Sequence, residues 1–319
     1  MPVLSTLKPS FFEMSVAMAF DYFAKHEVDI AVVEVGMGGR LDSTNILMPI
    51  VSVITNISYD HTQFLGDTLR KIAIEKAGIL KKNTPLVIGE TQEETKSVFN
   101  EKAKQINSPI FFADQRYQCD YSFKDTKNNQ ILNIKKNEKI IYKNLATDLI
   151  GAYQKYNIIT SLTVLEIISE QFVISRENIY EGLLNVKNNS GISGRWQLLG
   201  NNPLIIADSG HNVAGITEVI KQISTIPYKQ LHFIYGTVND KDTNEILKLL
   251  PKDALYYFTK ADIPRSLNEL ELQEKAKAFQ LIGNTYPTVN LALKKAKEKA
   301  SDSDMILVSG STFIVAEII

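Results

Sequence analysis

Several short runs in this chain bring together side chains able to handle phosphate, metal ions or an amine. The first is Glu34-Val35-Gly36-Met37-Gly38-Gly39-Arg40-Leu41-Asp42-Ser43-Thr44-Asn45. An acid closes an apolar run, glycines follow, and then a polar stretch. Glycines without side chains let a backbone approach a ligand closely. The run is not the dinucleotide fingerprint, because Leu41 stands where the third glycine belongs. A plain glycine turn would look the same. The second run, Ile57 to Gly66, contains Asp60 and His61, an acid and an imidazole able to share a Mg²⁺, although that ion prefers oxygen. A capping Asp and a surface His would also fit. The third is Ile74-Glu75-Lys76-Ala77-Gly78-Ile79, which by itself reads as a solvated ion pair.

Later in the chain, Gly194-Arg195-Trp196-Gln197 offers a planar guanidinium suited to phosphate oxygens, or a surface Arg beside the single Trp. Ala207-Asp208-Ser209-Gly210-His211-Asn212 closes a strand and opens a helix, where an anion is favoured. Asp208 and His211 could instead bind an amine and tune its protonation, and Asn212 suits an N-cap. Polar loops at Gly236–Asp242, with Asp240 or Asp242 as a cap, and at Ser309-Gly310-Ser311 complete the set.

The elements that must position these groups alternate. The capping box Ser10/Glu13 predicts a helix to about His26, apolar nearly all round and hence buried on most faces. Asp29–Val35 reads as a strand buried on both faces. Strands at Ile50–Thr55, Pro85–Ile88 and Ile110–Phe112 alternate with helices at Thr68–Lys81 and Gln92–Gln105, the pattern of a parallel α/β sheet. Residues 114–145 carry short alternating runs rich in Lys and Asn, which predict an antiparallel, solvated β appendage. Helices at Gly151–Glu170 and Arg176–Val186 lead to the polar run Lys187–Gly191, the best linker. Strand–helix alternation then resumes to the end of the chain. The fold class is therefore α/β, two doubly wound lobes. The first spans residues 1–187 and the second, Rossmann-like, spans 188–319.

Length and composition agree. The chain has 319 residues, enough for two domains with sizeable cores. Lys plus Arg is 35 and Asp plus Glu 36, a balance that argues against a general nucleic-acid binder. No stretch of about 18 apolar residues suggests a membrane span, and no signal peptide is evident. The lone Cys119 excludes an intramolecular disulfide and any Cys-x-x-Cys site. A soluble cytoplasmic monomer is the expectation.

In this order, the motifs resemble the folylpolyglutamate synthase/dihydrofolate synthase family, a branch of the Mur-type ligases. Six segments carry the likeness: Glu34–Asn45, Asp60–Gly66, Glu75–Ile79, Gly194–Gln197, Asp208–Asn212 and Asp240–Asp242. The helix with Gly151, Gln154 and Asn157 looks like the family's adenine-side segment. The resemblance implies ATP and Mg²⁺ as cofactors and L-glutamate with a folate or dihydropteroate as substrates. Glu34 and His61 would be Mg²⁺ ligands. Lys76 matches the lysine that is carbamylated to become a further ligand. Asn157 and Arg195 would contact ATP, Asp208 and His211 would be catalytic, and Asp42 and Ser311 would touch substrate. The first lobe would be a central ATPase domain. The family also needs a P-loop, G-x-x-x-x-G-K-[ST], and no Gly-Lys dipeptide occurs among the sixteen glycines here. The expectation is an N-terminally truncated, inactive chain. The alternatives are a ligase acting on a peptidoglycan precursor and a degenerate, non-catalytic relative. A nicotinamide oxidoreductase is disfavoured by the incomplete glycine fingerprint.

Overall fold

A computed structural model describes residues 8–239 and 243–319. Asp240, Lys241 and Asp242, part of one strand-end motif, lie outside the described residues. The described strands form three sheets. The first is parallel, in the order β1 (Ser52–Ile54), β2 (Leu86–Ile88), β3 (Ile110–Phe112). The second is an antiparallel ribbon of β4 (Gln118–Lys124), β5 (Gln130–Lys136) and β6 (Lys139–Thr147), which is the expected appendage. The third holds six strands. They are β7 (Gln197–Asn201), β8 (Leu204–Asp208), β9 (Leu231–Tyr235), β10 (Leu255–Phe258), β11 (Gly283–Thr285) and β12 (Met305–Ser309). Their order is β11-β10-β9-β12-β8-β7, with β7 alone antiparallel.

Alternation along the strands sorts side chains onto two faces. In β9, Phe233 and Tyr235 enter one core with Leu307 and Tyr256, while Ile234 enters the other with Ile306 and Tyr257. In β2, Leu86 and Ile88 meet the helices Leu69–Lys76 and Glu93–Gln105, and Val87 faces the helix Gln154–Ile168. That last helix also covers Leu132, Ile134 and Leu145 of the appendage. No helix among the described residues is long and apolar enough to cross a membrane.

The structure corrects three expectations. Asp29–Val35 forms no strand, and Val32 is 93% exposed. A continuous apolar run becomes a buried strand only beside neighbours that bond its backbone, and no described strand pairs with it. The helix Phe11–Lys25 has the predicted Ser10/Glu13 capping box, yet only Val16 on it is buried, and Phe11 is 82% exposed. Lys187–Gly191 is no open linker. Val186–Ser190 forms a short helix stopped by Gly191 in the left-handed conformation. β7 and β11 were not foreseen, being short and carrying Gly and Asn in place of β-branched residues.

The appendage is tied to the first lobe through Glu166 on the helix Gln154–Ile168. Arg116 grips its carboxylate with Nε at 2.8 Å and Nη2 at 2.5 Å, Lys136 Nζ donates at 2.6 Å, and the Tyr117 hydroxyl at 2.9 Å. The Arg116 bond, opposed by partial burial and helped by Lys136 and Tyr117, holds the Glu166 carboxyl at about 2, against an ordinary 4.5. Lowering in the folded state means that this stabilisation is complete above about pH 4.5 and is lost as pH falls toward 2. Glu166→Gln is therefore expected to lower the unfolding midpoint at pH 7 and to flatten its fall between pH 4.5 and 2.5. Circular dichroism melts across that window check this.

Candidate active site

The glycine loop and the Lys76 helix pack backbone to backbone. A Cβ on Gly39 would sit 2.9 Å from the Lys76 carbonyl, and one on Gly78 would sit 2.3 Å from Arg40 Cα. Arg40 N donates to the Glu75 carbonyl at 3.0 Å, and its guanidinium meets the Glu75 carboxylate at 3.0 and 3.2 Å. Glu75 is thus the partner of Arg40, not of Lys76. Asp42 closes the same loop. Its Oδ2 accepts from Met37 N at 2.9 Å, and its Oδ1 accepts from Thr44 N at 2.9 Å and from the Thr44 hydroxyl at 2.6 Å. Partial burial would raise this carboxyl, but those donors outweigh it and hold it below its usual value. Both oxygens of Asp42, the expected substrate contact, take part in folding the loop.

Asp60 is the meeting point of the two lobes. Its Oδ1 accepts from His61 N at 2.8 Å; its Oδ2 accepts from Asn212 Nδ2 at 3.1 Å and lies 3.4 Å from His211 Nε2. His211 Nδ1 donates to the Ser209 carbonyl at 3.0 Å. Asn212 also caps the helix Val213–Ile223, accepting from Gly215 N at 2.8 Å. His61 itself is left-handed, at φ 49° and ψ 38°, where the chain turns into the helix Thr62–Leu65. Lys76, half-buried at the last position of its helix, has no hydrogen bond or ion pair with a described residue. Desolvation pushes its amine below the usual lysine range, and the Asp60 charge partly restores it. Asp60 thus draws His61, Lys76 and His211 together. Glu34, on the exposed extended segment, has no hydrogen bond or ion pair to them. Among the described residues, no group of three or more His, Cys, Asp or Glu side chains is placed to hold a metal.

In the second lobe, Asp208 is only 3% exposed. Its Oδ2 accepts from the Tyr153 hydroxyl at 2.9 Å and from Trp196 N at 2.8 Å, and its Oδ1 accepts from Gly210 N at 2.8 Å. Burial pushes its carboxyl up, against those donors and the Arg195 charge. A sealed carboxylate of this kind, expected to be catalytic, holds its surroundings in position. Arg195 is exposed, on a turn between Gly194 and the fully buried Trp196. Ser311 is 4% exposed and caps the last helix, accepting from Phe313 N at 3.1 Å, so its hydroxyl too is used internally. Asn157 is exposed one turn into its helix and donates to Gln154 Oε1 at 2.8 Å. Tyr153 and Gln222, which bind the lobes together, were missed. Neither lies in a glycine-rich run or at a strand end, so nothing in the sequence marked them.

Comparison with known proteins adds two matched domain families. Residues 6–165 match the Mur ligase middle domain and residues 194–312 the Mur ligase glutamate ligase domain. A probable dihydrofolate synthetase of Schizosaccharomyces pombe is 31% identical over 97% of this chain and 75% of its own length. A dihydrofolate synthase/folylpolyglutamate synthase of Bacillus subtilis is 29% identical over 98% of this chain and 72% of its own. A probable bifunctional folylpolyglutamate synthase/dihydropteroate synthase of Haloferax volcanii is 32% identical, and the chain spans only 36% of its length. Among solved structures, Mycobacterium tuberculosis folylpolyglutamate synthase complexed with ADP and AMPPCP superimposes with a TM-score of 0.84 at 26% identity, covering 98% of this chain and 73% of that one. A bifunctional folylpolyglutamate synthase/dihydrofolate synthase with Mn, AMPPNP and L-glutamate bound gives 0.81 at 25% identity, over 97% and 71%.

The contact between loop and helix generates a prediction. Gly78→Ala places a methyl against Arg40 backbone, which has no flexible end to yield. The expected cost is about 1–3 kcal/mol, as for overpacking elsewhere. Denaturant unfolding measures it, and an unchanged midpoint would show that the loop does not rest on this helix.

Proposed function

This chain belongs to the folylpolyglutamate synthase/dihydrofolate synthase family of the Mur ligases, and from that premise we propose that it serves ATP-dependent addition of L-glutamate to a folate or dihydropteroate. A carboxylate oxygen of the pteroate or folate attacks the γ-phosphorus of ATP, ADP leaves, and an acyl phosphate forms. The glutamate amine then attacks the acyl carbon, phosphate departs, and the amine loses a proton. The observation that carries this reading is the junction at Asp60, where the second-lobe turn of His211 and Asn212 meets the first-lobe turn of His61 at 3.4 and 3.1 Å. Both sheets thereby present their strand-end loops to one place, as transfer between two bound substrates requires.

In this reading Asn157 faces the adenine side, Arg195 takes phosphate oxygens with its planar fork, and His211 is placed at the meeting of the substrates. Asp208, Asp42 and Ser311 hold the loops around them. A divalent ion such as Mg²⁺, in the place of the Mn bound by the bifunctional synthase complex, would neutralise charge on the transferring phosphate. His61 would offer a nitrogen, Lys76 an oxygen once carbamylated, and Glu34, which makes no contact with them here, a carboxylate. The Lys76 amine fits that modification, since CO2 reacts with a neutral amine and loss of a proton leaves the carbamate. Cytoplasmic residence accompanies these substrates.

The 319 residues contain no P-loop sequence. Positioning and charge stabilisation supply most of phosphoryl-transfer catalysis. Tested alone with Mg-ATP, L-glutamate and dihydropteroate or tetrahydrofolate, the chain is expected to release no phosphate above background. Fusion to the P-loop-bearing segment of a full-length relative is expected to yield phosphate release that needs both ATP and glutamate. A fusion inert with every folate would favour the peptidoglycan branch or a non-catalytic relative, and turnover by the chain alone would refute the inactivity. For Lys76, ¹³C-bicarbonate should give a carbamate signal that Lys76→Arg abolishes.

A further inference from the structure

The strip Ile150–Tyr153 precedes a first-lobe helix, yet the second lobe holds it. Ile150 is buried with Trp196, Ile206, Ile216 and Val219 of the second lobe. Gln222, 7% exposed on the helix Val213–Ile223, accepts from Ala152 N at 2.8 Å and donates to the Ile150 carbonyl at 3.2 Å. Tyr153 reaches Asp208 as described, and the residue after it, Gln154, begins the helix bearing Asn157.

The turn carrying Arg195 is held just as tightly. Gly194 and Trp196, on either side of Arg195, have φ of +69° and +47°. The Gly194 carbonyl accepts from Ser209 N and Oγ, both at 2.9 Å. Left-handed backbone is unfavourable for a non-glycine residue. Trp196 keeps it because its indole is fully buried and its backbone N–H is spent on Asp208. Asp208 Oδ2 accepts from both Trp196 N and the Tyr153 hydroxyl, so one oxygen joins the two segments.

We propose that Tyr153 is a positioning residue. Its hydroxyl orients the Asp208 carboxylate, and through it the Trp196 backbone and the direction of Arg195. The helix bearing Asn157 and the turn bearing Arg195 then meet a nucleoside polyphosphate as one rigid unit. The inference rests on the assignment of those two residues to the nucleotide. A guanidinium fork is directional, so a small rotation of its turn forfeits paired bonds to phosphate.

Titration calorimetry of the 319-residue chain with Mg-ADP tests this, together with thermal melts and emission of the single Trp196. Tyr153→Phe leaves Asp208 Oδ2 short of a donor and is expected to weaken Mg-ADP binding about tenfold or more. Trp196 emission should shift to the red as its turn loosens. In an Arg195→Ala background the same change should weaken binding no further, because it acts through Arg195. Equal losses in both backgrounds, or a falling melting midpoint without that coupling, would assign Tyr153 to the fold alone and overturn the proposal. So would a Tyr153→Phe chain that binds like the parent while Arg195→Ala and Asn157→Ala bind weakly. If those two variants also bind like the parent, or the parent binds no Mg-ADP, the nucleotide assignment fails and the proposal falls with it.

Discussion

A carboxylate sealed at the end of a sheet keeps its charge only when donors surround it, and Asp208 draws those donors from three places. Tyr153 comes from the strip before the first-lobe helix, Trp196 from the turn at the start of the second lobe, and Gly210 from its own loop. Losing any one leaves a buried charge under-satisfied, which costs more than the bond itself contributes. The arrangement of Arg195 and His211 therefore follows from how one side chain is solvated by the protein.

The six-stranded order places this residue well. β12 lies between β8 and β9, and the helix after it packs on the opposite face of the sheet from the helices after β8 and β9. Gly310 N and Ser309 Oγ both bond to the Gly210 carbonyl, at 3.2 and 3.3 Å, and tie the β12 loop to the β8 loop. Across the junction Asp60 performs the reciprocal task. It takes a donor from each lobe and sets the local charge that Lys76 feels. The half-buried lysine, the imidazoles and the exposed guanidinium are thus held by side chains whose own work is structural.

The first fifty residues obey a different constraint. Their apolar runs are as strong as those of the second lobe, yet Phe11, Met18, Val32, Leu41, Ile46 and Met48 are all exposed. Periodicity reports what a segment is able to bury, and burial needs a neighbouring surface. In the second lobe that neighbour is always the next βα unit, so Leu231–Tyr235 and Met305–Ser309 are buried throughout.

By itself the sequence determined whatever depends on local pattern. Alternating apolar runs and caps at Ser10 and Asn212 placed most helices and the long strands of the second lobe. Unusual residue types at strand ends marked Asp60, His61, Arg195, Asp208 and His211. What lay beyond it was long-range pairing. Asp60 with Asn212, Tyr153 with Asp208, and Gln222 with the Ile150 backbone are separated by 152, 55 and 72 residues. Nothing local in Tyr153 distinguishes a tyrosine that solvates a buried acid from one on a surface. Nor does the sequence reveal that the Asp42 and Ser311 oxygens are taken by their own loops. Those roles were decided only in the tertiary structure, where the need to satisfy each buried charge and each free backbone donor selects one partner among many.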